Sequence, residues 1–363
     1  MVTSRWIQTT LWISYICTSA SLTNGYKVEV VDRMLTGKPL VQNASAEQPY
    51  SKSACGGKIC TNVLNPAWIS YTGSKMSDSG ALFIRLATPT SSPSVICMLP
   101  AVPGTEGLRF EAPADKCVLK DGPKGTKEEV AIAIDPRAIY RPMTDEYFVF
   151  YQTLWNGTRR TQISATKTPS VLSSWKRFKN TMFNTNDCGT TLWFPEDEDD
   201  TIKEKKAFAI ATFGHLRGGN LSLATSSDGM QTWDNHGEFI FTRPDKWDNA
   251  TLSSGPPPQR LSDGNWFFLY NVDNKWPVHD PKPYPYFGRC AVGYVILDQN
   301  NFTNVLARSE KPLVWAQYAW EESGTTDMVI YADGIRAEGD DTFTVFAGGA
   351  DTVVEGFRVK VYV

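Results

Sequence analysis

From about residue 61 onward the chain is written in short apolar or alternating runs, each closed by Gly, Pro, Asn or Asp, with no long amphipathic stretch among them. The runs fall at 81–87, 130–134, 147–152, 206–212, 220–225, 266–271, 291–297, 342–347 and 356–363. Such runs read as strands joined by turns. Strand following strand, with no helical crossovers, excludes a doubly wound sheet or an α/β barrel and leaves a sandwich, a barrel or a propeller. An internal similarity chooses among these. Ser164-Ala165-Thr166 followed by Trp175 resembles Leu223-Ala224-Thr225-Ser226-Ser227-Asp228 followed by Trp233. The copies lie roughly sixty residues apart, each after a strand pair, as in blades of a propeller. The small residues are expected in a strand near the axis, with the Asp and Trp closing the next turn. A mature chain of about 340 residues at a period near 65 predicts an all-β, five-bladed β-propeller over 61–363.

The first twenty residues read as a signal peptide: Arg5 precedes an apolar stretch from Trp6 to Cys17, and Thr18-Ser19-Ala20 offers small residues before a cut. Residues 21–60 form an N-terminal extension and loop region. Removing the leader takes away Cys17 and leaves Cys55, Cys60, Cys97, Cys117, Cys188 and Cys290, an even set compatible with three disulfides. Closeness in sequence suggests Cys55 with Cys60 and Cys97 with Cys117, leaving Cys188 for Cys290. Sequons at Asn43, Asn156, Asn220, Asn249 and Asn301 can carry glycans only in a secretory lumen. These features together predict a secreted or lumenal glycoprotein.

A formal charge of −3, from 36 basic and 39 acidic residues, gives no draw toward nucleic acid or anionic lipid. No apolar run is long enough to span a membrane. Aromatics make up 12% of the chain, twelve of them tryptophan, which suits stacking against sugar rings. An oligosaccharide or glycan is a partner that this composition would suit. The three histidines, His215, His236 and His279, share no ligand spacing with the cysteines, so no metal and no cofactor is expected. The acid-then-lysine block at 196–206 reads as a solvated loop.

Cleaving a glycosidic bond needs a carboxylic acid to protonate the departing oxygen, and in a propeller the innermost strands supply it at the rim of the axial funnel. Asp135 meets this requirement: an apolar strand leads into it, Pro136 stops that strand's ladder, and Arg137 adds a cation. A turn braced by a salt bridge would look the same.

The resemblance extends over most of the chain. From Asn65 to the C-terminus the sequence resembles glycoside hydrolase family 130, five-bladed propellers that cleave β-mannosides by phosphorolysis or hydrolysis. The segments that carry it are Leu64-Asn65-Pro66-Ala67 with Leu82-Phe83-Ile84-Arg85, Ile134-Asp135-Pro136-Arg137 with the run to Tyr151, and Leu192-Trp193-Phe194-Pro195-Glu196. Ser254-Gly255-Pro256-Pro257-Pro258, Val292-Gly293-Tyr294 with Ala307-Arg308-Ser309, and Gly348-Gly349-Ala350-Asp351-Thr352 follow in the same order. The resemblance implies that Asp135 is the general acid and that Asn65, Arg85, Arg137 and Asp351 position the terminal sugar.

Departures from the family pattern bear on the nucleophile. Asn186-Asp187-Cys188 stands where the family's phosphorylases carry a cation for phosphate, and Ala211-Thr212-Phe213-Gly214-His215 replaces a His-Arg. With these cations absent, water is the expected nucleophile and an inverting β-mannoside hydrolase the expected activity. Such an enzyme needs a second carboxylate about 6.5–9.5 Å from the acid, for which Glu196, Asp248 and Asp351 are candidates. The rival is a phosphorylase in which Arg159, Arg160 and Lys167 supply the charge. A non-catalytic sugar-binding propeller is a third reading, favoured by Tyr270-Asn271 where the family carries a histidine. The segment 276–286, dense in Pro and aromatics, could stack a sugar beyond the cleaved bond.

Overall fold

The computed structural model describes residues 25–33, 37–42, 60–71, 79–88, 94–105, 108–111, 117–119, 133–155, 158–178, 189–198, 205–212, 219–273 and 289–363. They form five antiparallel sheets, the blades of a five-bladed propeller. Blade 1 contains β2 (Asn62–Ser70), β3 (Gly80–Ala87), β4 (Ser94–Pro100) and β5 (Cys117–Leu119). Blade 2 contains β6 (Ala133–Arg141), β7 (Glu146–Trp155), β8 (Thr158–Thr166) and β9 (Lys176–Arg177). Blade 3 contains β10 (Thr190–Trp193), β11 (Ala207–Ala211), β12 (Leu221–Ser226) and β13 (Asp234–Ile240). In blade 4, β14 (Thr251–Ser254), β16 (Trp266–Asp273), β17 (Cys290–Leu297) and β18 (Val305–Arg308) are joined by the short β15 (Gln259–Arg260) on β16. Blade 5 is β19 (Ile330–Gly339), β20 (Thr342–Gly349) and β21 (Val353–Tyr362), completed by β1 (Lys27–Asp32) from the N-terminal region. Part of the 21–60 extension is thus the strand that closes the ring.

Both faces of each sheet are buried against a neighbouring blade, and one apolar cluster fills each seam. In β7 the alternation is plain: Tyr147, Val149 and Tyr151 pack toward blade 1, while Phe148 and Phe150 pack toward blade 3. Two buried faces explain why the strands read as continuous apolar runs rather than as half-polar ones.

Several expectations shift in detail. The Ala-Thr similarity lies on β8 and β12, the third strands of their blades and not the axial ones. Its Asp228 ties the turn into β13 by accepting from Ser226 Oγ and the Gln231 and Thr232 amides. Pro136 does not end its strand: β6 runs on to Arg141 through a bulge between Ile134 and Arg137. The 196–206 block is only partly a solvated loop, since Asp197 is buried in a two-pronged ion pair with Arg141 at 2.9 and 3.2 Å.

Cys60 and Cys97 are disulfide-bonded, and the β4–β5 register sets Cys97 opposite Cys117. The pairings themselves, with Cys55 and Cys188, lie outside the described residues. The expected bridge from Cys188 to Cys290 is not formed: Cys290 keeps a buried thiol, its Sγ 3.9 Å from Asp273 Oδ1. Asn249 and Asn301 are exposed, whereas Asn220 is half-buried and spends its amide on Glu238 and the Thr242 N–H. Asn43, Asn156 and the leader over 1–20 lie outside the described residues.

Candidate active site

The five inner strands, β2, β6, β10, β14 and β19, all start at one end of the ring, where the mouth of an axial funnel would lie. Three of them break register near that end, at Asn65-Pro66, Asp135-Pro136 and Asp333-Gly334. Asn65 and Asp135 sit at φ 45° and 53°, a left-handed conformation that short polar side chains tolerate best. The proline that follows has no N–H to lose, so each bulge leaves no ladder donor stranded. The bulge re-aims its side chain toward the axis, and Asp135 keeps 5% of its surface exposed there.

Arg137 is the hub beneath this rim. Its guanidinium is fully buried and forms an ion pair with Asp333 Oδ1 at 2.6 Å. It donates from Nη2 to Ser254 O at 2.7 Å, from Nε to Gly255 O at 3.1 Å and from Nη1 to Asp135 O at 2.8 Å. Blade 3 approaches so closely that a Cβ at Gly189, whose φ is 98°, would lie 2.7 Å from Arg137 Nη2. Blade 1 joins through Asn65 Nδ2, which donates to Asp333 Oδ2 at 2.9 Å. Arg137 therefore fixes the blades against one another, and it has no exposed surface, where the sequence suggested a residue that positions the terminal sugar.

Other expected residues do converge on the mouth. Arg85 Nη1 lies 3.8 Å from Asp135 Oδ1. Asp351, at φ 55° in the β20–β21 turn, accepts from Thr326 Oγ1 at 2.6 Å. Burial raises its proton affinity and the charge of Asp135 adds to this, while Thr326, Arg85 and Arg289 oppose it. Asp333 is pushed up to about 7, by burial first and by the charges of Asp135 and Asp351, against the pull of Arg137 and Asn65. Three carboxyls and two arginines thus share one small region, an arrangement suited to moving a proton.

Two expected carboxylates are spent elsewhere. Asp248 is fully buried between blades 3 and 4, held by Arg243 Nε at 2.9 Å, Arg308 Nη2 at 2.6 Å and Tyr270 OH at 2.8 Å. Its oxygens brace a seam. Glu196 follows the far end of β10 and accepts from the Lys206 N–H at 2.7 Å. It stands across the propeller from Asp135. Lys167 is exposed just past the far end of β8, also away from the funnel, whereas Arg159 and Arg160 enter β8 at the mouth. The Arg159 side chain, the 186–188 segment, His215, His279 and the 276–286 segment lie outside the described residues.

Sequence reasoning missed Asp333 and assigned no structural role to Asn271. Asn271 is a brace: its Nδ2 donates to Ala332 O at 3.0 Å and its Oδ1 accepts from the Ala332 N–H at 2.8 Å, just ahead of Asp333. The signal for Asp333 was present, because Ala332-Asp333-Gly334-Ile335 repeats the form of Leu64-Asn65-Pro66-Ala67 and Ile134-Asp135-Pro136-Arg137.

Comparison with known proteins agrees with this fold. The chain is 31% identical over 249 residues to a 1,2-β-oligomannan phosphorylase of Thermoanaerobacter sp. (strain X514), covering 69% of this chain and 74% of that one. The β-1,2-mannobiose phosphorylase of Listeria innocua, solved with β-1,2-mannobiose, shares the fold at a TM-score of 0.65 and 16% identity over 86% of this chain and 96% of its own. Another structure, described within a GH130 family of mannoside phosphorylases that contains hydrolases of β-1,2 mannosidic linkages in Candida mannan, gives 0.68 at 15% identity, over 97% of this chain and 96% of that one. The family model for glycoside hydrolase family 130, described as β-1,4-mannooligosaccharide phosphorylase, matches residues 104–361. With the match covering most of its length and the bulged inner strands meeting at one mouth, this chain belongs to glycoside hydrolase family 130.

Proposed function

We propose that the chain cleaves terminal β-mannosides by phosphorolysis with inversion. The observation that carries the proposal is the Asp135 carboxyl, turned inward by a bulge at the mouth and set beside Arg85, Asp333 and Asp351. In the step itself, Asp135 gives its proton to the departing glycosidic oxygen as a phosphate oxygen bonds to the anomeric carbon from the opposite face. The products are α-mannose 1-phosphate and a shortened glycan. Arg160, at the start of β8, and Arg289, just ahead of β17 and felt by Asp351, are the candidate charges for phosphate beside Arg85. The named activities of the relatives favour phosphorolysis over the hydrolysis expected from the sequence, and β-1,2-mannosides are the substrates to try first.

Hydrolysis is the second reading. Asp187 at the place of a phosphate cation favours it, and the family includes hydrolases of β-1,2-mannosides. Incubating β-1,2-mannobiose with and without inorganic phosphate separates the two. Phosphorolysis predicts mannose 1-phosphate, formed at least tenfold faster with millimolar phosphate than free mannose is formed without it, since an anion held by fixed cations replaces water only where its charge is matched. Free mannose at a phosphate-independent rate would establish hydrolysis instead.

A secretory setting is part of the proposal and rests on the leader, the cysteines and the exposed Asn249 and Asn301. Expression in a glycosylating host tests it: a chain that stays inside the cell, with no glycosidase-sensitive mass, would refute it.

A further inference from the structure

We propose that Asp333 is a positioning residue for the cleavage step: its carboxylate clamps Arg137 and Asn65 at once, and through them sets the backbone of Asp135. The geometry is a chain of single contacts. Asp333 Oδ1 holds Arg137 Nη2 at 2.6 Å, and Arg137 Nη1 in turn holds the Asp135 carbonyl at 2.8 Å. Asp333 Oδ2 takes the Asn65 amide at 2.9 Å. Asn65 and Asp135 are the left-handed residues of the two Pro-containing bulges, so one buried side chain registers both. Asn271 fixes the Ala332 peptide from blade 4, which leaves Asp333 little freedom to relax.

The clamp works only as a carboxylate. Arg137 faces Asp333 Oδ1 as an ion pair and Asn65 Nδ2 donates to Oδ2, so a protonated Asp333 would give up the charge that holds Arg137. The charged groups facing Asp333 are Arg137 from β6 on one side and Asp135 and Asp351 on the other, with Asn65 from β2 the neutral donor. Burial and the two like charges outweigh Arg137 and raise the group to about 7. The sign follows: as pH falls through this range Asp333 takes up a proton, the clamp slackens and the rate drops. An enzyme of this geometry shows an acid-side limb near neutrality that belongs to a residue the substrate never touches.

Asp333→Asn places an amide where the O–H would be at every pH. On β-1,2-mannobiose with phosphate, kcat is expected to fall about 10- to 100-fold with KM changed less than threefold, in line with the cost of a misplaced catalytic group. The acid limb near 7 should vanish. Asn65→Gly keeps the left-handed backbone but removes one donor, which raises the proton affinity of Asp333 and moves the limb to higher pH; this variant decides the matter if Asp333→Asn does not fold. Carboxyl 13C resonances supply a readout that needs no substrate: one aspartate titrating near 7 in the wild type and absent from the variant. The activity arm rests on the β-mannoside reading, so a wild type inert toward every β-mannoside defeats that reading and leaves the resonance to decide for Asp333. An acid limb unmoved in both variants, or a titrating resonance that survives Asp333→Asn, overturns the proposal.

Discussion

Asp135→Asn is expected to lower kcat/KM on β-1,2-mannobiose by about 10²- to 10⁴-fold, the span usual for a lost general acid, with the thermal midpoint nearly unchanged. The fold should survive because the chain already places asparagine in this local setting. Asn65-Pro66 in β2 and Asp135-Pro136 in β6 share the bulge, the left-handed φ and the proline that follows. Asparagine also fits left-handed backbone at least as well as aspartate. The Arg137 bond goes to the main-chain carbonyl of Asp135, not to its carboxyl, and so is kept. What the variant loses is a titratable proton. Substrates whose leaving group needs no protonation, such as a dinitrophenyl β-mannoside, should lose less than tenfold, because general acid assistance shrinks as the departing oxygen becomes less basic. Equal loss on both substrates would mean that Asp135 binds sugar without donating a proton, and no loss on either would place the acid elsewhere.

The contrast between β2 and β6 also shows what a sequence of this kind reveals. The middle strands of the blades, such as β7, β16 and β17, were legible because each is apolar on both faces and filled by its neighbours. Much of the inner set was not legible as strands, since β2 and β19 carry Asn-Pro and Asp-Gly steps that elsewhere mark turns, and the four residues of β14 run straight into Gly255. The features that make a strand hard to recognise are those that open it toward the funnel.

A second ambiguity comes from parity. In a four-stranded blade the first-to-second and third-to-fourth turns lie at one end, and the second-to-third turn lies with the inner strand's start at the other. Glu196 and Lys167 fall on the wrong turns and so face away from Asp135, while Asp351 falls on the right one. The sequence shows that such residues sit in turns, but the end is settled only once the innermost strand is known. Asp248 failed for another reason. It lies in the crossing between blades, and its arginine partners, Arg243 and Arg308, come from segments whose pairing no local pattern announces.

Arg33→Met is expected to destabilise the chain by about 3–5 kcal/mol at pH 8, the range for breaking a buried ion pair from one side, and by clearly less at pH 5. Arg33 follows the closing strand β1. Its guanidinium meets Glu321 Oε1 at 2.6 Å and Glu355 Oε2 at 3.6 Å, and lies over the rings of Tyr318 and Phe357. Both carboxylates are almost wholly buried, with 0% and 5% of their side chains exposed. Glu321 is further committed to the Gln317 and Tyr318 amides. Glu355 is pushed up to about 8, by burial first and by the neighbouring Glu321 carboxylate, in spite of Arg33. Its folded state therefore holds a proton more tightly than the unfolded chain does. Its contribution to stability is fully present below the ordinary glutamate range, near 4.5, and is lost as pH rises through 8, by at most about 1.4 kcal/mol per pH unit. Removing Arg33 takes away the one cation that opposes this, so the penalty grows wherever Glu355 must ionise. Urea unfolding of wild type and Arg33→Met at pH 5 and pH 8 measures the difference directly. Glu355→Gln in the Arg33→Met background should recover most of the loss at pH 8 and little at pH 5. A deficit equal at both pH values would assign the effect to the Glu321 pair and to packing over Tyr318 and Phe357, and not to Glu355. No deficit would mean that β1 closes the ring by its ladder with β21 alone. The ring needs such a latch because the seams on either side of blade 5 bury their apolar faces only while its outer strand is held in place, and that strand is supplied by the opposite end of the chain.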